Sequence, residues 1–424
     1  MIVDLNVRTK AVYRCLRDKF KNRAYWRFTL NKNRPRIKTG LDTLWDNRPE
    51  CLKDRRLGLL ANPASIDSQF VHAKDLLQQL FPGQLNALFS PQHGFFAEKQ
   101  DNMIESGHFR DPDLDIPVFS LYSETRIPTA GMFDTIDTLV IDIQDVGTRV
   151  YTFIYTISYC LETAARLGKS VVILDRPNPV GGIQVEGNIL EADCTSFVGR
   201  YPIPMRHGMT VGEITAYINT TQKIDCDLTV IPMQGWTRGM YWQDTGLVWI
   251  PPSPNLPTPL SAMVYPGQVI FEGTNLSEGR GTTLPFEQFG APFLDVHALK
   301  QRSRERLKGV VLRPLCFQPT SGKWENQTCK GVHIHIIDKD KYKPYLYSLI
   351  LLQEIMRAHP NEFAFKAPPY EYEFERLPMD LILGSRKLRK NLEEMNDPGK
   401  LEKAWQAPLH VFKQTSEPFY LYGV

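Results

Sequence analysis

Residues Thr138 to Gly182 read TLVIDIQDVGTRVYTFIYTISYCLETAARLGKSVVILDRPNPVGG. Thr138 to Ile143 is a short apolar run rich in β-branched residues, the pattern of a buried strand. It ends in Asp142, Gln144, Asp145, Gly147, Thr148 and Arg149, which are polar or turn-forming. A helical pattern then runs to Leu167 and stops at Gly168, a residue suited to the left-handed cap of a helix. A second apolar run, Ser170 to Leu174, leads into Asp175-Arg176-Pro177-Asn178-Pro179. This is a β-α-β unit with polar residues where both strands end, the edge at which open α/β sheets bind ligands.

The same alternation extends upstream. Arg56 to Ala61, Leu85 to Ser90 and Ile116 to Tyr122 read as further strands, with a helix over Ser68 to Phe81. Five short strands alternating with helices predict an α/β fold with a Rossmann-like, mostly parallel sheet. Thr210 and Glu213 form a capping-box pair that starts a helix reaching Thr220. Leu228 to Met233 reads as one more strand. Pro251 to Pro259 is too proline-rich for a helix or sheet interior and predicts a rigid extended connection near a domain boundary. Beyond it, Val332 to Ile337 is the clearest strand and Pro344 to Arg357 the clearest helix. Pro418 to Val424 reads as an edge strand. The expected division is a basic extension over 1–47, a Rossmann-like domain over 48–264 and a smaller C-terminal α/β domain over 265–424, with the ordered body starting near Cys51.

Bulk properties bound the function. With 42% hydrophobic and 23% charged residues, the 424-residue chain has the composition of a soluble globular protein. No apolar run is long enough to cross a bilayer. Residues 1–40 hold twelve Lys and Arg against Asp4 and Asp18, a net of +10, so the other residues carry +3 − 10 = −7. That acidic body argues against a nucleic-acid groove. Within the basic segment Val12, Leu16 and Phe20 recur at helical spacing, which permits an amphipathic helix in peripheral contact with an anionic membrane, or a plain solvated extension. Seven scattered cysteines without a CxxC and the lack of a signal-peptide pattern favour the cytoplasm; a periplasmic location would need a different start site. Nothing in the chain sets an oligomeric state.

The strand-end loops hold more carboxylate, histidine and arginine than a fold requires. Candidates are Gln92, His93, Glu98, Asp142, Asp145, Arg149, Asp175, Arg176 and Asn178, followed by Arg206, His207 and Arg280. Desolvated carboxylates at such an edge can act as general acid or base, and arginines can grip an anionic group. The opposing reading makes Asp142 and Asp175 loop and helix caps paired with the arginines. Gly279 to Thr283 lacks Walker spacing, so it reads as a turn with a substrate-facing arginine rather than a phosphate loop. His333 and His335 share a strand face near Cys329, but no second ligand cluster completes a zinc site, and no metal is expected. Trp236, Tyr241, Trp242 and Trp249 are suited either to stacking on a sugar ring or to core.

Seven motifs occur in order: SPQHGF (Ser90–Phe95), EKQDNMIES (Glu98–Ser106), DIQDVGTRVYTF (Asp142–Phe153), LDRPNPVGG (Leu174–Gly182), Glu186-Gly187, MRHGMTVGE (Met205–Glu213) and EGTNLSEGRGT (Glu272–Thr282). Together they resemble the exo-β-N-acetylmuramidases of the NamZ type, formerly a domain of unknown function, from Arg56 to the C-terminus. The resemblance implies a cleft between the two domains, release of N-acetylmuramic acid from the non-reducing end of peptidoglycan fragments, a small saccharide or muropeptide as substrate, and no cofactor. Arg149, Asp175, Arg176, Asn178, Arg206, His207 and Arg280 would then receive the sugar. Where the family has a glutamate before His-Gly, this chain has Gln92, which carries no titratable proton. Three readings stay open: Glu98, Asp142 or Asp145 supplies the acid, with His93 orienting the scissile oxygen; the substrate is another acidic saccharide; or the protein binds sugar without cleaving it.

Overall fold

A computed structural model describes residues 37–100 and 103–424. The basic amphipathic segment expected before residue 37 lies outside them. Packing starts before Cys51: Ile37, Leu41 and Leu44 are buried, and Lys38 bridges to Gln234.

Seven strands form the main sheet. In chain order they are β1 (Leu57–Ala61), β2 (Leu85–Ser90), β3 (Phe109–Arg110), β4 (Pro117–Ser120), β5 (Thr138–Asp142), β6 (Ser170–Leu174) and, after a separate two-stranded ribbon of β7 (Glu186–Ile189) and β8 (Pro204–Arg206), β9 (Asp227–Ile231). The spatial order is β3-β4-β2-β1-β5-β6-β9, parallel throughout except for β3 against β4. Every residue of β1 and β5 is buried. Both faces of a parallel sheet are covered, which is why these strands are continuous apolar runs without alternation.

Local signals set the element ends. The helix Phe153–Leu167 stops at Gly168, whose φ is +62°. The helix Val211–Thr221 opens on the Thr210–Glu213 capping box. The helix expected from Ser68 begins only at Ala73, capped by His72. Asp67 takes the preceding residues into a turn by accepting from the Gln69 and Val71 amides, a side-chain geometry that competes with helix.

The C-terminal region is built on the helix Pro344–Ala358 and a three-stranded antiparallel sheet ordered β10-β12-β11, with β10 Gln288–Ala291, β11 Val310–Phe317 and β12 Cys329–Ile336. The helix Pro259–Gln268 crosses the expected 264/265 boundary. Residues 251–258 are not a uniformly extended connection: 252–255 bend, and Leu256 is buried. The edge strand expected over Pro418 to Val424 does not form. Glu417–Phe419 is a 3-10 turn, and the tail is tied down by side chains instead, with the Tyr422 hydroxyl donating to Asp175 at 2.6 Å. No described helix is long and apolar enough to cross a membrane.

Candidate active site

Strand order reverses between β1 and β5, so this is where a doubly wound sheet would ordinarily open a crevice. Here polar side chains fill it. Arg176 donates from Nε and Nη2 to the two oxygens of Asp142, at 2.5 and 2.7 Å, and also to the Ile66 carbonyl. Ser65 donates to the Asp142 carbonyl. Burial pushes the Asp142 carboxyl up, opposed by the Arg176 charge. Asp175 accepts from Thr210, Gly212, Tyr422 and the Arg176 amide, and burial raises it to about 6 against those donors. Asp142, Asp175 and Arg176 therefore brace the sheet edge and each other, and line neither the recess nor the groove described below.

The remaining strand-end candidates divide in the same way. Arg149 is fully buried and donates to four carbonyls, those of Asn188, Ile203, Ile382 and Leu383, which binds the β5 loop to the C-terminal region. Asn178 holds the Met209 carbonyl and sits against Gly147, where φ is +71° and a Cβ would lie 2.3 Å from Asn178 Oδ1. Arg206 bonds Gln184 and the Val180 carbonyl. His207 is buried and accepts from the Met209 amide; burial depresses it to about 3, so it is neutral at physiological pH. Asp145 accepts from the Gly147 amide at 2.7 Å and lies 3.9 Å from His207, and burial raises its carboxyl to about 7. Glu98 is exposed, its carboxylate lying against Gly94.

Gln92, His93 and Arg280 do converge. They line a narrow recess of about 30 Å³ with Tyr151, Thr152, Tyr265, Glu272, Tyr370 and Glu371. The recess shares Asn255, Glu272, Arg280, Tyr370 and Glu371 with an open groove of about 1010 Å³, bordered by Gly281 to Thr283, Thr320 to Lys323 and Lys366. One wall comes from the loops after β2 and β5, the other from the C-terminal region. Gln92 accepts from the Thr152 hydroxyl at 2.7 Å and donates to the Tyr122 hydroxyl and to Glu371. His93 Nδ1 contacts the Lys99 carbonyl at 2.8 Å, and its φ of +76° shows a strained turn.

On the opposite wall Arg280 donates to Glu272 from Nη2 at 2.7 Å and faces Glu278 at 3.5 Å. Tyr370 donates to the other Glu272 oxygen at 2.7 Å. Burial of Glu278 works against its charge, but Lys323, at 2.8 Å, and Arg280 outweigh it and hold the carboxyl below its usual range. This side is thus an alternating array of cations and carboxylates, able to meet both a sugar's anionic substituent and its hydroxyls.

Sequence reasoning missed Glu371, Tyr370, Tyr122 and Thr152 as site residues, and quoted Glu272 only inside a motif. The aromatic cluster is core: Trp236 packs on Tyr422 and Trp242 edge-on to Trp249, and none lines the recess. The zinc alternative also falls. Arg313 reaches His333 Nδ1 at 3.1 Å and His335 Nε2 at 3.2 Å, so an arginine occupies the face that a cation would need.

Two family models cover nearly all of this body: exo-β-N-acetylmuramidase NamZ, N-terminal, over residues 57–260, and NamZ, C-terminal, over 263–422. The chain belongs to the NamZ exo-β-N-acetylmuramidase family. It is 39% identical over 390 residues to the peptidoglycan β-N-acetylmuramidase NamZ of Bacillus subtilis, covering 92% of each chain. Among solved structures it is similar to two DUF1343 family proteins of Bacteroides fragilis. One has a TM-score of 0.84 at 34% identity, covering 92% of this chain and all of the other. The second has a TM-score of 0.69 at 28% identity, covering 91% and 99%. NamZ membership agrees with both the sheet and the motif order.

Proposed function

We propose that this protein is a glycoside hydrolase that releases N-acetylmuramic acid from the non-reducing end of peptidoglycan fragments. The observation that carries this reading is the narrow recess where Gln92, His93, Glu272, Arg280 and Glu371 meet at the end of a wide polar groove. The groove has room for a saccharide, and the narrow recess at its end presents Glu272, Arg280 and Glu371 to a sugar bound there. Arg280, with Lys323 and Lys366 along the groove, provides positive charge for the lactyl carboxylate that distinguishes muramic acid from glucosamine. The B. subtilis homologue, named as a peptidoglycan β-N-acetylmuramidase, supports the substrate class. A cytoplasmic enzyme acting on recycled wall fragments is part of the proposal, and cell fractionation tests it.

The decisive experiment is incubation with the disaccharide MurNAc–GlcNAc and detection of free N-acetylmuramic acid. Release is the expected result. Saturable binding by calorimetry without release would instead make the protein a muropeptide-binding member of the family, the reading that the amide at Gln92 keeps in play. Absence of both release and binding would redirect the search to other acidic saccharides.

A further inference from the structure

Gln92 has no titratable proton, and the three carboxylates expected to replace it lie elsewhere: Asp142 in an ion pair, Asp145 bonded to the Gly147 amide, Glu98 on the surface. Among the described residues the recess nevertheless contains two carboxyl groups, Glu272 and Glu371, both contributed by the C-terminal region. Glu272 is tied to the Arg280 guanidinium. Glu371 is held differently. Its oxygens accept from two neutral donors, Gln92 Nε2 at 3.1 Å and the Tyr122 hydroxyl at 2.6 Å, and among the described residues no cation lies within ion-pair distance of it.

The donor directions are determined by what surrounds them. The Tyr122 oxygen accepts from Gln92 Nε2 and from the Met103 amide, both at 3.2 Å, so its own proton points to Glu371. The Gln92 oxygen takes the Thr152 hydroxyl, which turns its nitrogen toward Glu371. Tyr370 and Glu373 exchange both backbone hydrogen bonds at 2.9 Å, and the two residues between them, Glu371 and Tyr372, have φ of +48° and +66°. This is a two-residue turn with both central positions left-handed, a geometry usually given to Asn and Gly. A glutamate there, buried with a strained backbone, is the kind of local cost found at functional sites.

A carboxyl group in a desolvated recess with only neutral hydrogen-bond partners can hold or release a proton. We propose that Glu371 is the catalytic carboxyl group of this protein. The inference rests on the glycosidase reading above. Protonated Glu371 gives its proton to the glycosidic oxygen as the bond from that oxygen to the anomeric carbon breaks, and the leaving sugar departs as an alcohol. Water then adds to the anomeric carbon, its proton returns to the Glu371 carboxylate, and N-acetylmuramic acid leaves. One water is consumed, and the carboxyl group ends as it began. The Glu272 carboxylate, paired with Arg280 in the same recess, faces the positive charge that develops on the ring.

Titration of Glu371 is set by its whole surroundings. Burial raises it; Tyr122, Gln92 and, more weakly, Arg126 oppose that, and Glu272 adds to it. Tyr265, Tyr370 and Tyr372 are further titratable neighbours, and His93 and Arg280 line the same recess.

The test compares wild type, Glu371→Gln and Tyr122→Phe on MurNAc–GlcNAc and on the 4-nitrophenyl glycoside of N-acetylmuramic acid, whose leaving group needs no protonation. Calorimetry with the disaccharide checks that each variant still binds. Glu371→Gln is expected to lose about 10²- to 10⁴-fold in kcat on the disaccharide and far less on the aryl glycoside. Tyr122→Phe removes a donor to the carboxylate, so the alkaline limb of the kcat profile should move to higher pH. Wild-type turnover by Glu371→Gln, or an equal loss on both substrates with binding retained, would overturn the assignment. Should Glu371→Gln not fold, an unmoved alkaline limb in Tyr122→Phe would overturn it. Wild type inert on both substrates would defeat the glycosidase reading and this inference together; active wild type with an unaffected Glu371→Gln defeats the inference alone.

Discussion

The side-chain amide of Gln92 donates to the carboxylate of Glu371 across 3.1 Å, joining two turns that lie 279 positions apart in the chain. Replacing that amide by a carboxyl group puts two acids in one small site. In Gln92→Glu the pair should retain one proton, because both cannot ionise at this separation. A carboxyl group whose folded pKa is raised keeps its stability contribution at pH values below its unfolded pKa and loses it as pH rises through the folded value. The variant is therefore expected to match wild type near pH 4 and to be less stable by about 1–3 kcal/mol at pH 8. Urea unfolding at the two pH values checks this.

Asp145 makes a second pH-dependent contribution. Burial raises it to about 7, some three units above its ordinary value, so the cost of ionising it in the fold accumulates between pH 4 and pH 7 and reaches roughly 4 kcal/mol. Asp145→Asn should flatten the fall in thermal stability over that interval. Since Asp145 does not line the recess, kcat at the optimum is expected to stay within about threefold of wild type, less than the 10²-fold expected for loss of an acid–base group.

The Asp142–Arg176 pair is buried on both sides. Arg176→Ala leaves a carboxylate without its cation and should destabilise by about 3–5 kcal/mol. Turnover per folded molecule should be little changed. A large rise in KM without loss of stability would return Arg176 to the substrate.

Arg149 gathers four backbone carbonyls and no carboxylate. Arg149→Met removes every donor and leaves buried acceptors unsatisfied, at about 1–3 kcal/mol each when not relieved by water. Failure to accumulate as soluble protein, or a clear drop in urea midpoint at unchanged slope, is the expected outcome.

Arg280 faces the groove while holding Glu272 through two nitrogens. Lysine keeps the charge but not the fork. Arg280→Lys is expected to raise KM on the order of tenfold for muramic-acid substrates, with a smaller effect on kcat. Steady-state kinetics separates the two.

Much of the fold could be read from the chain as a string. The runs that became β2 and β6 match their observed bounds, Gly168 ends its helix, and Thr210 with Glu213 starts another, because each is a local preference expressed over a few residues. The motif order likewise pointed to the NamZ family. Local pattern failed where a side chain competed with the backbone, as Asp67 does before Ala73, and where an aromatic tail was tied down by Tyr422 and Asp175 rather than by strand pairing.

The recess itself was decided by tertiary structure. Polar residues at strand ends announce that an edge is chemically rich, but not which of them spend their hydrogen bonds on each other. Asp142 with Arg176, and Arg149 with four carbonyls, are satisfied within the fold, while Gln92 and His93 point at a wall supplied by residues 272–280 and 370–371. Glu371 lies in APPYEYEFE, where residues 370–375 alternate aromatic and acidic as a strand would, yet it sits in a tight turn and acquires its role only because packing brings that turn against Tyr122 and Gln92. Periodicity is a property of neighbouring residues; the partner of a buried carboxyl group is a property of the folded chain.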